Sequence, residues 1–153
     1  MTLPTVIAGA CYCGQIRYQT TAPVSDLSYC YCRICQLVHG APFAPFVSVD
    51  ADHFHWVRKD GLLELNLTPY ATRTVCGACR APLTMSYHAR PQTVSVVAVT
   101  VREEESAVTM AEIKVQEHIF VGMKPRWFAI PEDGARRDDG LPAELRGCVP
   151  DCL

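Results

Sequence analysis

The sequence predicts an all-β domain with one short helix, and three observations predict it. Short runs of alternating or β-branched apolar residues recur between turn signals carrying Gly, Pro, Asn and Asp. Only the stretch from Arg33 to His39 places apolar residues at helical spacing. The first seven of the nine cysteines fall into clusters of two, three and two, each short enough to sit on a single turn.

In chain order, Gly14 closes the first thiol pair, and Gln15 to Gln19 alternates polar with apolar residues as a half-buried strand does. A loop from Thr20 to Asp26, carrying Pro23, leads to a short strand over Leu27-Ser28-Tyr29 that ends at the triplet Cys30-Tyr31-Cys32-Arg33-Ile34-Cys35. Ile34, Leu37 and Val38 then share a helical face, and Gly40 and Pro42 stop the helix after about two turns. Strands follow at Phe46 to Val49, Phe54 to Val57, Leu62 to Asn66 and Arg73 to Val75, divided by Asp50-Ala51-Asp52, Asp60-Gly61 and Thr68-Pro69. The second thiol pair comes at once. Leu83 to Tyr87 and Thr93 to Val101 read as further strands, the latter so rich in valine that it is expected at the centre of a sheet, covered on both faces. Glu103-Glu104-Glu105 reads as a solvated turn, Ile113 to Val121 resumes the alternation, and Arg126 to Ile130 closes the globule. Residues 1–131 thus form one β domain, and the charges and prolines of 132–153 suggest a loosely ordered tail.

Seven thiols divide naturally as four plus three. A zinc ion that only holds a fold together takes four protein ligands, whereas one that does chemistry keeps three and leaves a position to water or substrate. Cys11 and Cys13 with Cys76 and Cys79 can close on one structural Zn²⁺, leaving Cys30, Cys32 and Cys35 to hold a second, open one, two per chain. Cys32 and Cys35 fall near the start of the predicted helix, where partial positive charge and free N–H groups favour thiolate. Disulfides or plain buried thiols are the rival account. A Cys-x-Cys pair cannot readily bridge itself, and Met1 to Ala10 carries no basic residue, so no secretory signal is expected. A reducing, cytoplasmic setting makes metal the expected use. Cys148 and Cys152 sit in a tail with few apolar neighbours and are expected to be free thiols rather than ligands or a disulfide.

Composition narrows the classes. At 153 residues the chain is one domain with a useful core; 49% hydrophobic and 20% charged residues describe an ordinary soluble globule. No apolar run approaches the roughly 20 residues of a membrane span. Lys and Arg are scattered rather than massed, so no nucleic-acid footprint is visible. The net charge of -2 counts cysteine as neutral, and loading seven thiolates with two Zn²⁺ makes the protein more acidic still.

Taken together, Cys11-x-Cys13-Gly14-x-Ile16-x-Tyr18, Cys30-x-Cys32-x-x-Cys35, Gly40-Ala41-Pro42-Phe43, Val75-Cys76-x-x-Cys79-x-x-Pro82-Leu83, His118-Ile119-Phe120 and Trp127 resemble the glutathione-dependent formaldehyde-activating enzyme family, which includes the centromere protein V proteins. The resemblance spans roughly residues 9 to 130. It implies a β-tent-like fold of several coiled, mainly antiparallel sheets, a structural zinc on the outer pairs and a second zinc on the triplet. The activity it implies is that of a carbon-sulfur lyase joining glutathione to formaldehyde as S-hydroxymethylglutathione, and the reverse. The chain departs from the common family pattern at Tyr31, where His is frequent, at Arg80, where Gly is usual, and at His39, where a small residue often precedes the glycine. Neither Tyr31 nor Arg80 is a ligand position, and His39 alters the surroundings of the open zinc.

An open three-thiolate zinc suits that chemistry, because a coordinated thiol loses its proton and a fourth sulfur is welcome on a borderline-soft ion. His39 and His118 are candidates for a proton donor or a fourth ligand, against the commoner role of a hydrogen-bonded, partly buried ring. Arg33, Arg73, Arg80, Lys124 and Arg126 are candidates to anchor the carboxylates of a glutathione-like thiol. Tyr31, Trp127 and Phe128 are read as packing residues. Three functions stand: a zinc-dependent lyase acting on a small thiol and a small aldehyde, a non-catalytic zinc module that binds a partner, and a purely structural protein whose second zinc is also closed. The second predicts an organised basic face, which the sequence lacks.

Overall fold

Strands β1 (Ile7–Ala10), β2 (Arg17–Thr20) and β5 (Phe54–Arg58) form a three-stranded antiparallel sheet in the order β1-β2-β5. The remaining strands are β3 (Leu27–Cys30), β4 (Ala44–Asp50), β6 (Leu62–Thr68), β7 (Ala71–Cys76), β8 (Pro82–Tyr87), β9 (Thr93–Val97), β10 (Val115–Ile119) and β11 (Arg136–Arg137). They make an eight-stranded sheet in the order β11-β10-β3-β4-β9-β8-β7-β6. All of its pairs are antiparallel except those of β10, which runs parallel to both β3 and β11. This computed structural model describes residues 5–150, so Cys152 lies outside it. The expected mostly-β architecture with one α-helix, α1 (Arg33–His39), is what forms. Among the described residues no helix is long and apolar enough to cross a membrane.

Two apolar cores hold the sheets, and each ends at a thiol cluster. The first packs Ile7 and Tyr18 of the small sheet and Ile16 of the β1–β2 connection against Val47, Leu83 and Val96 of the large sheet, and Cys11 and Cys76 belong to it. Tyr18 is buried by Phe54, stacked at 5.3 Å, and by Trp56, edge-on at 6.3 Å, both on β5. Its hydroxyl meets the Thr100 hydroxyl at 2.8 Å. On the other side Gly9 is its partner across β1, and a Cβ there would stand 2.0 Å from Tyr18 Cζ. The second core lies under α1, where Phe46, Ala71, Met85, Val97 and Ile119 surround Cys30 and Cys35.

Two expectations need correction. Thr93 to Val101 is not one strand: β9 ends at Val97 and Ala98–Thr100 is a 3-10 turn. Thr100 Oγ1 donates to Val97 O at 2.7 Å, the local side-chain bond by which threonine competes with a sheet ladder. Val99 is turned out of the turn to 81% exposure. Arg126 to Ile130 forms no strand, and Trp127 is 77% exposed rather than core, although Phe128 packs against Phe43 and Tyr31 at 5.9 and 6.1 Å. Cys148 is a free thiol as expected, and it is buried.

Past Pro131 the chain runs back along β10. β11 pairs with it through Glu117↔Arg136 and His118↔Arg137. Arg136 carries the contact, bonded to Glu117 and paired with Asp138 at 3.0 Å and Glu144 at 2.8 Å.

Candidate metal centres

The β1–β2 connection supplies Cys11 and Cys13, and the β7–β8 turn supplies Cys76 and Cys79, so the first cluster joins the small sheet to the large one. The four sulfurs lie within 4.8 Å of one another. Cys11 Sγ is 3.6 Å from Cys13 Sγ, which is 3.8 Å from Cys76 Sγ. A disulfide would need about 2.05 Å. A tetrahedron of sulfurs with metal–sulfur bonds of about 2.3 Å has edges of roughly 3.8 Å, so this spacing fits one ion. Backbone N–H groups turn inward as well: Ile16 N donates to Cys11 Sγ at 3.3 Å and Cys79 N to Cys76 Sγ at 3.5 Å.

Arg80, directly after this knuckle, has φ 64°. That left-handed conformation costs an L-residue of this size about 1 kcal/mol, and its N–H closes the turn onto Cys76 O at 2.9 Å. Arg80→Gly is therefore expected to stabilise the protein by about 0.5 to 1 kcal/mol, read as a higher urea midpoint at unchanged slope. A lower midpoint would mean that the arginine side chain holds something the backbone cost conceals.

The second cluster is local. β3 ends at Cys30, the chain turns through Tyr31 and Cys32, and Cys35 lies in the first turn of α1, which Gly40 closes in the left-handed conformation (φ 60°, ψ 36°). Gln36 pins this loop from within, its Nε2 donating to Tyr31 O at 2.6 Å and to Met123 O at 2.8 Å. Cys30, Cys32 and Cys35 present sulfurs within 4.8 Å of one another, and no fourth His, Cys, Asp or Glu among the described residues joins them. Thiol donors from Cys30 and Cys35 pull the Cys32 pKa down to about 3, and the same contact pushes Cys30 well up. That contact favours the thiolate at Cys32 over its two neighbours.

Beside the sulfurs opens a cavity of about 440 Å³. Its walls are mostly apolar, with Ile34, Leu37, Met85, Phe120, Met123 and Val149, and Tyr70 and Tyr87 add their rings. Among the described residues no carboxylate lines it. Arg73 does, on β7: it is 7% exposed and its Nη2 donates to Cys35 Sγ at 3.3 Å. Burial alone would lower its pKa, but the Cys35 sulfur and its neighbours more than offset that, and the guanidinium stays charged. A buried cation with no carboxylate partner needs a counter-charge, and the cluster supplies it only as thiolate.

The other candidates are placed as follows. His118 is fully buried with both ring nitrogens engaged, Nδ1 with the Tyr31 hydroxyl at 3.0 Å and Nε2 with Asp133 Oδ2 at 2.9 Å, so it is a brace behind the triplet and not a ligand to it. His39, edge-on to Phe46, is pushed down to about 4 by burial and is neutral at pH 7; its Nε2 is buried without a partner. It lies outside the group of sulfurs. Lys124 is spent on Phe128 O at 2.8 Å. Arg33 lines the cavity but is exposed, Arg126 is exposed beside Trp127, and Arg80 belongs to the other cluster. The reach of Arg73 to Cys35 and the tether of Asp133 to His118 were invisible in the sequence, since both depend on strands and loops that meet only in space.

Fold and sites together define a β-rich protein built round two thiol clusters, each able to hold a metal ion. The sequence profile of the glutathione-dependent formaldehyde-activating enzyme family matches residues 6–122, and the chain belongs to that family, whose name ties it to glutathione and formaldehyde chemistry. A crystal structure of a Rhodobacter sphaeroides protein from structural genomics is similar, with TM-score 0.55 at 16% identity over 71% of this chain and 98% of that one, a likeness of fold. No curated protein matches.

Proposed function

We propose that the protein is a zinc-dependent carbon-sulfur lyase of the cytoplasm that adds glutathione, or a similar small thiol, to formaldehyde and catalyses the reverse cleavage. The observation that carries this reading is the contrast between the clusters: four thiols close on themselves between the sheets, whereas three thiols face an apolar cavity with room for a substrate. Cys11, Cys13, Cys76 and Cys79 hold a structural Zn²⁺, and Cys30, Cys32 and Cys35 the catalytic one, within a domain of residues 1–131. An all-sulfur donor set at tetrahedral spacing suits zinc, which when bound keeps a thiol at its open position deprotonated near neutral pH.

The chain's own residues do the rest. Gln36 and the His118–Tyr31 contact fix the triplet loop, so that its sulfurs hold position as the substrate arrives. Ile34, Leu37 and Met123 narrow the solvent around the reacting groups. The sulfur lone pair forms the C–S bond, the carbonyl π pair moves to oxygen, and the proton lost by the thiol ends on that oxygen.

Titration with glutathione, and separately with other small thiols, followed by calorimetry, together with formaldehyde–thiol exchange followed by NMR, tests the reading. Binding below millimolar concentration, exchange above the uncatalysed rate and two zinc ions per chain are expected. Exchange at the uncatalysed rate with every thiol would sink it in favour of a non-catalytic zinc module.

A further inference from the structure

Among the ion pairs of the described residues none involves Arg73. It is a buried cation in the wall of a cavity that no carboxylate of the described residues lines, bonded to one of the three sulfurs. Its planar guanidinium carries five N–H donors, and the Cys35 bond uses one of them. Arg33, the other cation of the wall, is exposed and loosely bonded to Gln36 at 3.5 Å, so water screens it. The hydroxyls of Tyr70 and Tyr87 are neutral, and burial pushes both pKa values up.

We propose that Arg73 is a catalytic residue that binds the aldehyde oxygen and stabilises the negative charge this oxygen acquires as sulfur adds to carbon. The proposal rests on the functional reading above. As the C–S bond forms, the π pair of C=O becomes a lone pair on an alkoxide, which then takes from solvent the proton the thiol gave up; nothing is oxidised or reduced. In the cleavage direction the hydroxymethyl group loses that proton first, and the same alkoxide expels the thiolate. Both directions place a developing oxyanion one carbon from a sulfur at the triplet, beside a site already rich in negative charge. A fixed, buried cation in a mostly apolar wall is the arrangement that lowers such a barrier. The bond to Cys35 does the positioning, holding the guanidinium at one sulfur while the side chain forms part of the cavity wall.

The test compares wild type with Arg73→Met, which keeps an apolar wall of similar length, and Arg73→Lys, which keeps the charge. In formaldehyde–glutathione exchange, Arg73→Met should lose about 100-fold in kcat/KM with the thiol KM changed by less than about threefold, and Arg73→Lys should stay within about tenfold of wild type. A second measurement does not depend on turnover: formate, a one-carbon oxyanion, titrated into the zinc-loaded protein and followed by ¹³C NMR. It should bind wild type and Arg73→Lys and bind Arg73→Met at least about tenfold more weakly, with zinc content unchanged. Should Arg73→Met fail to fold, Arg73→Gln takes its place. Undiminished exchange in the neutral variant, or equal formate binding by it, overturns the proposal while leaving the lyase reading intact. Uncatalysed exchange by wild type sinks the lyase reading and the catalytic role with it, whatever formate does.

Discussion

Cys79→Ser should give unfolded or insoluble protein, whereas Cys32→Ser should fold, keep close to one zinc per chain and lose thiol-dependent exchange. The difference follows from what each cluster joins. Cys13 and Cys76 are 63 residues apart in sequence, and their cluster is a staple between the three-stranded and eight-stranded sheets. Structural zinc in small peptides is worth about 10 to 16 kcal/mol of apparent binding energy at pH 7, as large as the roughly 5 to 15 kcal/mol that separates a whole domain from its unfolded chain. Removing one ligand also leaves Cys11 and Cys76, both buried in the inter-sheet core, without the ion that compensates their charge. The triplet, by contrast, lies on one loop and the first turn of a helix that Gln36, Tyr31 and Gly40 already hold. Circular dichroism, thermal melting and zinc content of the two variants decide the matter. If Cys32→Ser melts as readily as Cys79→Ser, or keeps both ions, the division into closed and open sites is wrong.

Gly9→Ala should be among the most damaging changes that alter no thiol. The added methyl would sit 2.0 Å from Tyr18 Cζ and 2.2 Å from its hydroxyl oxygen, well inside any tolerable contact. The ring has nowhere to go, since Phe54 stacks on it, Trp56 abuts its edge and Thr100 holds the hydroxyl. Either β1 moves off β2 or the tyrosine leaves its place and the Thr100 bond is lost. Overpacking costs about 1 to 3 kcal/mol and a buried hydrogen bond about 1 more, so a loss of roughly 3 kcal/mol and a fall in Tm of about 10 °C are expected. A double-mutant cycle isolates the cause: in a Tyr18→Ala background the Gly9→Ala step should be nearly neutral. An equal loss in both backgrounds would mean that the glycine matters for its backbone, not for the ring above it.

Much of this was legible along the chain, and the reason is local. Helix α1 runs over Arg33–His39 as its apolar spacing and Gly40 predict, because a helix and its cap are decided by neighbours in sequence. The triplet assembles as its spacing predicts because it is local; the outer pairs are each local, and their meeting across 63 residues follows from the count of four ligands that a closed site takes. What the pattern misjudged was settled at a distance. Val99 continues a valine run, yet the strand ends at Val97, where Thr100 turns its hydroxyl back onto Val97 O and meets the hydroxyl of Tyr18, 82 residues away. Trp127 has the composition of a core residue, and only the aromatic group of Tyr31, Phe43 and Phe128 shows that the interior beneath it is already filled. Arg73 is legible as a candidate for a substrate carboxylate, but periodicity does not say that its side chain reaches Cys35.

The parallel pairing of β3 with β10 bears on how the chain is born. Tyr31 and His118 are 87 residues apart, and at a synthesis rate of about 5 to 20 residues per second the first waits roughly 4 to 17 s for the second to emerge. Through that interval β3 has β4 on one flank and an open ladder on the other, next to three reduced thiols. Nascent chains halted before Val115 should therefore be captured by chaperones or cut by protease within the segment 27–46. Those halted once β10 has cleared the ribosome should resist both.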